Sequence, residues 1–281
     1  MKLAILALAA MTLLIGCVAE TNDGVKPTTY RPGKAHRAGY QYFEESKFNP
    51  PGSYTLVNDP ADPNSVQQVE KFSFSGKECS DIDCVTNSVR SLIVEHGNSG
   101  LGVQPREAWY SWEIYLAPDF PSGPEQSQGG LSFAEFKENN ECATINFVQI
   151  PGYTDSDLSF TMNLSTGNID KQFPGKVKEC ALLFNKKVAD TREMRGRWTR
   201  FEMFMRWSHG SGGRAMIFVD GKQMVDFTGP TCHSDCLKRN PFQYGIYLSN
   251  APNVEGIIPS TAYFRNVSRS SHREALLGHV E

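Results

Sequence analysis

From residue 69 to residue 267 the chain is a series of short runs rich in β-branched and aromatic residues, separated at regular intervals by Gly, Pro and Asn. No pattern of helical periodicity long enough for an amphipathic helix interrupts the series. Many short strands with regularly placed turns are typical of sandwiches and jelly rolls. The predicted strands cover residues 69–75, 88–96, 108–116, 131–137, 144–150, 158–164, 181–185, 197–207, 214–219, 223–228, 242–249 and 262–267.

Two features indicate how these strands assemble. Asp220-Gly221 accepts the positive φ angles of a type I′ turn and predicts a hairpin between the runs 214–219 and 223–228. In the run before it, alternation with polar residues gives one wholly apolar face, formed by Phe201, Met203, Met205 and Trp207. A second sheet must cover such a face. We therefore predict an all-β fold, a β-jelly roll or concanavalin-like sandwich of two antiparallel sheets.

Residues 1–16 have the features of a signal peptide, with Lys2 followed by an apolar run that is too short to span a bilayer. The run ends in Leu14-Ile15-Gly16-Cys17, which resembles a bacterial lipobox, where cleavage before the cysteine leaves a thiol for lipid modification. The alternative is an ordinary signal peptide with a chance cysteine. We expect Cys17 to anchor the protein to a membrane of the bacterial cell envelope. By resemblance to other lipoproteins, Val18 rather than an aspartate after the cysteine favours an outer-membrane lipoprotein, facing the periplasm or the cell surface.

Residues 17–51 are rich in Thr, Asn, Gly, Pro and charge and show little periodicity, which is typical of a flexible tether. Tyr40, Tyr42 and Phe43 indicate that the end of this segment begins to pack. We therefore assign 17–51 to the lipidated cysteine and its tether, and 52–281 to a single β domain. All-β domains often exceed about 200 residues, so the length is suitable.

Six cysteines remain beyond Cys17, an even number in a chain expected to enter an oxidising compartment. Two short spacings favour local disulfides and leave a third pair, so the predicted bonds are Cys79–Cys84, Cys142–Cys180 and Cys232–Cys236. A metal site is the alternative at the last pair, because His233 and Asp235 lie beside these cysteines. Zinc usually needs a second ligand pair and export favours oxidation, so we predict no metal site.

The formal net charge is −3, and the sequence has no long basic run. It therefore lacks the electrostatic footprint of a nucleic-acid-binding protein. We expect no nucleic-acid partner and a monomeric protein.

A stretch at residues 240–250 separates apolar from polar residues by strict alternation. The face predicted to join the core carries Phe242, Tyr244, Ile246 and Leu248. The opposite face carries Gln243, Gly245, Tyr247 and Ser249. Gly245 is expected to leave open space beside Tyr247, which a ligand or another backbone can occupy.

Four motifs occur in an order that resembles a known enzyme family. They are Trp109-Tyr-Ser-Trp-Glu-Ile-Tyr-Leu-Ala-Pro-Asp-Phe-Pro121, Gly196-Arg-Trp-Thr-Arg-Phe-Glu-Met, Val219-Asp-Gly-Lys with Phe227-Thr-Gly-Pro230, and Gly245-Ile-Tyr247. Together they resemble polysaccharide lyases of the heparin lyase I and glucuronan lyase group, with a more distant likeness to jelly-roll alginate lyases. The likeness extends from about Val69 to Val267.

The resemblance implies a concave sheet that binds an acidic polysaccharide and cleaves it by β-elimination beside a uronic acid. The reaction removes the C5 proton, α to the carboxylate, and expels the glycosidic oxygen from C4. It needs a group that stabilises charge on the carboxylate, a base for the proton and an acid for the leaving oxygen. The resemblance implies no cofactor and leaves a structural calcium open.

By the same resemblance, Tyr247 matches the family tyrosine, which can act as acid and also as base. The alternative is a tyrosine that stacks under a sugar. His96 matches a histidine of the glucuronan-lyase-like members. Alternation places Arg90 on the same strand face as His96, so we expect Arg90 to hold a substrate carboxylate while His96 moves a proton.

Two positions depart from the family pattern. Glu135 stands where relatives usually carry glutamine, and an ionised glutamate would repel the substrate carboxylate. Three outcomes are open: Glu135 is protonated, Lys137 on the same face neutralises it and stabilises the developing charge, or activity is lost or altered. We favour the second, which makes Lys137 catalytic. Leu92 replaces an acid that relatives often carry two positions after the arginine, so Arg90 lacks an in-strand partner.

Gln243 lies on the same strand face as Tyr247. Asn146 is a polar residue of the predicted strand 144–150, which follows the strand of Glu135. The side chains expected to contact substrate are therefore Arg90, Glu135, Gln243 and Asn146.

Two other functions compete with the lyase. A glycoside hydrolase would need two carboxylates roughly 5 to 10 Å apart, but Glu135 and Glu138 differ by three residues and so point to opposite faces of a strand. A non-catalytic carbohydrate-binding surface lipoprotein would share the fold and the anchor, and would accommodate Glu135 directly. We predict a lyase that cleaves a uronic-acid-containing polysaccharide, with Tyr247 as proton-transfer residue, and keep the binding protein as the alternative.

Overall fold

The structure is a computed structural model. It describes residues 40, 43–46, 49–75, 79, 82–95, 104–121, 130–137, 143–149, 156–165, 180–232, 240–249 and 258–278.

The described residues form strands with only short helices between them. In chain order the strands are β1 (Phe43–Glu45), β2 (Tyr54–Asn58), β3 (Gln68–Phe74), β4 (Val89–Glu95), β5 (Glu107–Leu116), β6 (Leu131–Lys137), β7 (Ala143–Gln149), β8 (Asp157–Ser165), β9 (Cys180–Asp190), β10 (Trp198–Arg206), β11 (Arg214–Val219), β12 (Lys222–Thr228), β13 (Phe242–Leu248) and β14 (Ser260–Ser270). The helices are α1 (Ile82–Val85), α2 (Thr191–Met194) and a 3₁₀ helix at Arg273–Ala275.

The strands build two seven-stranded antiparallel sheets. One, called the site sheet below, has the order β1-β4-β13-β6-β7-β8-β9. The other, the back sheet, has the order β12-β11-β10-β5-β14-β3-β2. Strand β13 is therefore the third strand of the site sheet, between β4 and β6, although both precede it by many residues in sequence. The predicted sandwich of two antiparallel sheets is confirmed.

The core lies between the two sheets and is dominated by aromatic rings. Trp112 of the back sheet contacts two rings of the site sheet, with centroid separations of 4.9 Å to Phe147 and 5.5 Å to Phe242. Full burial of one large apolar side chain contributes about 1.5–3 kcal/mol, so this layer holds the sheets face to face. Both predicted core faces are buried, on β13 and on β10.

The hairpin predicted at residues 214–228 is present. Strands β11 and β12 pair antiparallel, and Asp220 and Gly221 between them have φ angles of 47° and 79°. Two successive residues with positive φ match the type I′ turn, whose twist fits the twist of the flanking strands.

The N-terminal boundary of the domain differs from the prediction. Phe43 lies in β1, pairs with Glu95 of β4 and is only 2% exposed. Its ring contacts Tyr244 of β13 at a centroid separation of 5.6 Å. The tether was predicted to extend to residue 51, but apolar burial of Phe43 brings the chain into the site sheet earlier. Strand β2 was also missed, because Tyr54–Asn58 is short and lies at an edge of the back sheet.

The disulfide prediction is confirmed for Cys79–Cys84, with the two Cα atoms 5.1 Å apart. Cys232 is disulfide-bonded, and its predicted partner Cys236 lies outside the described residues. The disulfide at Cys232 argues against the alternative metal site there. Cys142 also lies outside the described residues, so its bond to Cys180 stays a prediction.

The predicted signal peptide, Cys17 and the tether up to residue 39 lie outside the described residues. Among the helices that the structure describes, none is long and apolar enough to cross a membrane.

Candidate active site

Tyr247 lies on an inner strand of the site sheet, β13, on the face opposite the core. Its direct neighbours in register are Arg90 on β4 and Ser132 on β6. The two flanking core positions of β13, Ile246 and Leu248, are fully buried, so alternation directs the Tyr247 side chain to the outer face. The prediction that β13 separates core residues from Tyr247 is therefore confirmed.

Gly245 allows a local irregularity in β13. The pairing of β13 with β6 shifts register between Tyr244 and Tyr247, and Gly245 has a φ of 133°. A Cβ at this position would clash with the carbonyl oxygen of Ser91 and lie 2.8 Å from Cδ1 of Phe72. The expected open space is thus filled by the backbone of β4 and a core ring, and it is not available to a ligand.

Arg90 is held from two directions. Its Nε and Nη2 groups each donate to the carboxylate of Asp83 in α1, at 2.6 Å. Its guanidinium carbon lies 4.5 Å from the centroid of the Tyr247 ring, within the range of a cation–π contact. Arg90 thus has the acidic partner that β4 lacks at Leu92, and that partner comes from a different element.

Asp83 was missed by sequence reasoning. Its side chain is 1% exposed and lies inside the segment closed by the Cys79–Cys84 disulfide. The one usable signal was an acid inside a predicted disulfide loop just before the strand of Arg90. Ser88 was also missed, although alternation in the predicted strand 88–96 places it on the face of Arg90, and its hydroxyl forms a hydrogen bond with Tyr247.

The surroundings of Tyr247 favour its neutral, protonated form. Burial raises the pKa of the Tyr247 phenol above its ordinary value, and the nearby Glu135 charge raises it further. Arg90 lowers the pKa, but the net shift is upward. Near neutral pH the side chain therefore carries a proton that it can donate.

Arg90 keeps its charge in this setting. Burial alone would lower the pKa of the Arg90 guanidinium, whereas the hydrogen bonds to Asp83 and the neighbouring negative charges raise it, and the net shift is upward. The site therefore holds a permanent cation against the face of a neutral phenol.

A second row of polar side chains crosses the same face. Gln243 on β13, Glu135 on β6 and Asn146 on β7 are successive neighbours in register. The Nε2 group of Gln243 donates to Oε1 of Glu135, and Asn146 Nδ2 donates to the hydroxyl of Ser132 at 2.9 Å. The structure thus joins the two rows, which contain Tyr247, Arg90, Gln243, Glu135 and Asn146.

Glu135 is stabilised differently from the sequence-based expectation. Its side chain is buried and accepts from Gln243, and no ion pair of 4.0 Å or less joins it to Lys137 within the described residues. Lys137 ends β6 after a second irregularity between Phe136 and Lys137 and is partly exposed. The direct neutralisation of Glu135 by Lys137 is therefore not observed, and an amide stands beside the carboxylate instead.

His96 lies outside the described residues, immediately after β4 ends at Glu95. Its role as the base stays a prediction. In the part of the chain that the structure describes, no group of three or more His, Cys, Asp or Glu side chains is arranged to hold a metal ion.

An endo-β-1,4-glucuronan lyase from the fungus Trichoderma reesei superposes with a TM-score of 0.57 at 14% identity, over 85% of this chain and 94% of that chain. An alginate lyase from a Chlorella virus gives a TM-score of 0.43 at 12% identity, over 78% and 89% of the two chains. At these identities the first similarity establishes the fold.

No curated protein sequence matches the chain significantly. The family model described as polysaccharide lyase matches residues 35–268, which is most of the chain. The two-sheet architecture agrees with that match. The chain therefore belongs to the polysaccharide lyase family.

Proposed function

We propose that this protein cleaves an acidic, uronic-acid-containing polysaccharide by β-elimination, with Tyr247 as the general acid. The observation that carries the proposal is the stacking of Arg90 on Tyr247, on two adjacent inner strands at the outer face of the site sheet. A cation beside a protonated phenol provides two of the functions that elimination requires, charge stabilisation and proton donation.

The chemistry can be assigned to the side chains in order. A base removes the C5 proton, and the electron pair of that C–H bond is delocalised onto the carboxylate. That pair forms the C4–C5 double bond as the bond from C4 to the glycosidic oxygen breaks, and Tyr247 transfers its proton to that oxygen. The atoms balance without water, so the product is an unsaturated uronate and a new hydroxyl end.

The raised pKa of Tyr247 supports the role of acid over that of base. A tyrosine that acts as base must first lose its proton, and burial disfavours the phenolate. The proposal therefore needs a separate base, and His96 is the residue we assign to that step because it follows the strand of Arg90. A histidine has an ordinary pKa of about 6.5 and accepts a proton readily near neutral pH.

We assign the stabilisation of negative charge on the substrate carboxylate to Arg90 and to the amide of Gln243. Gln243 lies in register with Glu135, on the strand next to the one where relatives usually carry glutamine. An amide nitrogen has two donor hydrogens, and one of them is directed to Glu135. The other can donate to a substrate carboxylate, so we propose that Gln243 performs the function of the family glutamine from the neighbouring strand.

Residues that are neighbours in register form a row across the site sheet, and this row gives a direction for the polymer. The row starts at Tyr247 and runs through Ser132, Val148 and Ser159 to Lys187 on β9, the last strand of the sheet. Four strand spacings make this path about 19 Å long. A surface cavity of about 610 Å³ lies at its far end, lined by Ser159 and by Lys187 with its ion-pair partners Asp157 and Asp190. We propose that the polymer crosses the strands along this row.

The predicted attachment at Cys17 belongs to the same proposal. A lipid on Cys17 would hold a monomeric domain at the bacterial outer membrane, where a polymer can reach the site sheet. Replacing Cys17 by alanine is expected to move the protein from the membrane fraction to the soluble fraction after cell disruption. Retention of the variant in the membrane fraction would contradict this part of the proposal.

The test of the function is a product assay. The purified protein is incubated with glucuronan, heparin, alginate and related uronate polymers over a range of pH, and ultraviolet absorbance of the unsaturated uronate is followed. We expect at least one polymer to give this absorbance. New reducing ends without the absorbance would indicate a hydrolase, and binding without either product would indicate the carbohydrate-binding lipoprotein.

A further inference from the structure

We infer that Asp83 is a positioning residue for the catalytic pair Arg90 and Tyr247, and that the disulfide-closed segment Cys79–Cys84 delivers its carboxylate to the site. The inference rests on the proposed function of Tyr247. It assigns to a loop outside the site sheet the acidic partner that β4 does not carry at Leu92.

The contact between Asp83 and Arg90 fixes the plane of the guanidinium. Two parallel hydrogen bonds of 2.6 Å run from Nε to Oδ2 and from Nη2 to Oδ1. A fork of this kind sets the orientation of the arginine as well as its distance. Because the same guanidinium lies over the Tyr247 ring, the carboxylate of Asp83 determines how Arg90 faces the phenol.

The segment that carries Asp83 cannot hold its shape through helix formation alone. Helix α1 has four residues, far fewer than an isolated helix needs. The disulfide fixes the residue next to Asp83, since Cys84 bonds to Cys79 at a sequence separation of 5. On the other side, the Ser88 N–H donates to the carbonyl of Asp83 at 2.8 Å, immediately before β4 begins. Asp83 is therefore held between a covalent bond and the strand of Arg90.

The arrangement also sets the charge next to the phenol. Within the described residues, the charged groups that act on Tyr247 are Arg90 on β4, Glu135 on β6 and Asp83 in α1. Arg90 lowers the pKa of Tyr247, whereas Glu135 and Asp83 raise it. Burial makes the largest contribution to the raised pKa of Tyr247, and Asp83 offsets part of the opposite effect of Arg90.

The test compares Asp83→Asn and Asp83→Glu with the unchanged protein, using a polymer that the protein cleaves. Misplacement by about 1 Å can cost a hundredfold in rate, so we expect kcat of Asp83→Asn to fall by roughly ten- to a hundredfold. Removing the negative charge lowers the Tyr247 pKa, so the alkaline limb of kcat should move to lower pH. Asp83→Glu keeps the negative charge, so the pH of the alkaline limb should not change, and kcat should lie between the values of Asp83→Asn and the unchanged protein.

The matched control is Asp226→Asn. Asp226 forms the same two-pronged contact with Arg214, at 3.0 and 2.9 Å, on the exposed face of the back sheet. This variant should leave kcat and the alkaline limb unchanged.

The double variant Cys79→Ser with Cys84→Ser removes the covalent tether without altering Asp83, and Cys84 is exposed, so no buried cavity results. It should reproduce part of the kcat loss.

A second readout does not depend on turnover. The ultraviolet difference signal of tyrosinate, taken between the protein and Tyr247→Phe, reports the titration of Tyr247 directly. Asp83→Asn should shift that titration to lower pH. If the unchanged protein cleaves no polymer, the proposed function fails, and this titration still tests the positioning. An unshifted titration with kcat within twofold of the unchanged protein would overturn the inference, as would a kcat loss explained entirely by a lower Tm.

Discussion

The guanidinium of Arg90 covers one face of the Tyr247 ring, with 4.5 Å between the guanidinium carbon and the ring centroid. The two residues are direct cross-strand partners on β4 and β13, so the antiparallel register itself brings them together. Contacts of this kind contribute about 0.5–2 kcal/mol depending on exposure. The pair therefore couples the cation of the site to its proton donor.

Replacing Arg90 by lysine should separate the effect of charge from that of shape. Lysine keeps the positive charge but cannot form the two-pronged bond to Asp83 or stack as a plane. We expect kcat/KM to fall by roughly a hundredfold or less, as misplaced groups do. Arg214→Lys on the exposed face of β11 is the control and should leave steady-state kinetics unchanged. Full activity of Arg90→Lys would show that charge alone is sufficient.

Glu135→Gln tests the departure from the family pattern. Glu135 is buried next to Gln243 and faces the side of the sheet where an anionic substrate would lie. Removing a like charge at about 4 Å should favour binding by about 1 kcal/mol in bulk water and by more beside a buried carboxylate, so KM should fall about fivefold or more. Glu107→Gln, on the exposed side of the back sheet, is the control and should not change KM. A large loss of kcat in Glu135→Gln would instead identify Glu135 as a catalytic base.

Gly245→Ala should destabilise the fold at the site strand. The positive φ and the contacts a Cβ would make with Ser91 and Phe72 both oppose any side chain there. Backbone strain and overpacking each cost about 1–3 kcal/mol, so the free energy of unfolding should fall by at least about 2 kcal/mol. Gly52 also has positive φ, but a Cβ added there would meet no atom within 4 Å, so Gly52→Ala should cost less. Equal costs in denaturant titrations would contradict the role of close packing.

Much of the fold was predictable because alternation is a local property. Successive side chains of a strand point to opposite faces of the sheet. Phe242 and Tyr244 could therefore be assigned to the core and Tyr247 to the outer face without knowing the neighbouring strands. The hairpin at Asp220-Gly221 was predictable for the same reason, since two residues specify its turn.

Features that depend on a neighbour were not predictable. The irregularity at Gly245 exists relative to β6, and the crowding around it comes from Ser91 and Phe72 on other strands. The partner of Arg90 was sought at Leu92 on the same strand, whereas Asp83 reaches it from a separate element. Glu135 was expected to pair with Lys137 two residues away, but the amide of Gln243 on the adjacent strand is closer.

The free energy of unfolding at alkaline pH should depend on the buried tyrosines. Burial raises the pKa of Tyr110, whose hydroxyl donates to Gln104 at 2.8 Å, and the folded state therefore holds this proton more tightly than the unfolded state. This contribution to the free energy of unfolding is complete at pH values below the ordinary tyrosine pKa of about 10. As the pH rises above that value, the contribution decreases by up to about 1.36 kcal/mol per pH unit for each such tyrosine. Tyr110→Phe should be less stable at neutral pH, by about 1–3 kcal/mol, because the Trp207 indole N–H loses its acceptor and Gln104 keeps only Arg269 as a donor among the described residues.

The informative quantity is the slope of the unfolding free energy against pH above about 10. Tyr110→Phe should have the shallower slope, because one titrating group has been removed. Identical slopes for the two proteins would mean that Tyr110 does not titrate differently on unfolding.

The most direct measurement is turnover by Tyr247→Phe on a uronate polymer that the unchanged protein cleaves. The substitution removes one hydroxyl and leaves the ring beneath Arg90, so polymer binding and Tm should change little. Loss of a general acid costs about 10²–10⁴-fold, and kcat should fall by that factor. Tyr263→Phe, on the back sheet against Tyr115, is the control and should retain full turnover. Turnover by Tyr247→Phe within a few-fold of the unchanged protein would contradict proton donation by Tyr247.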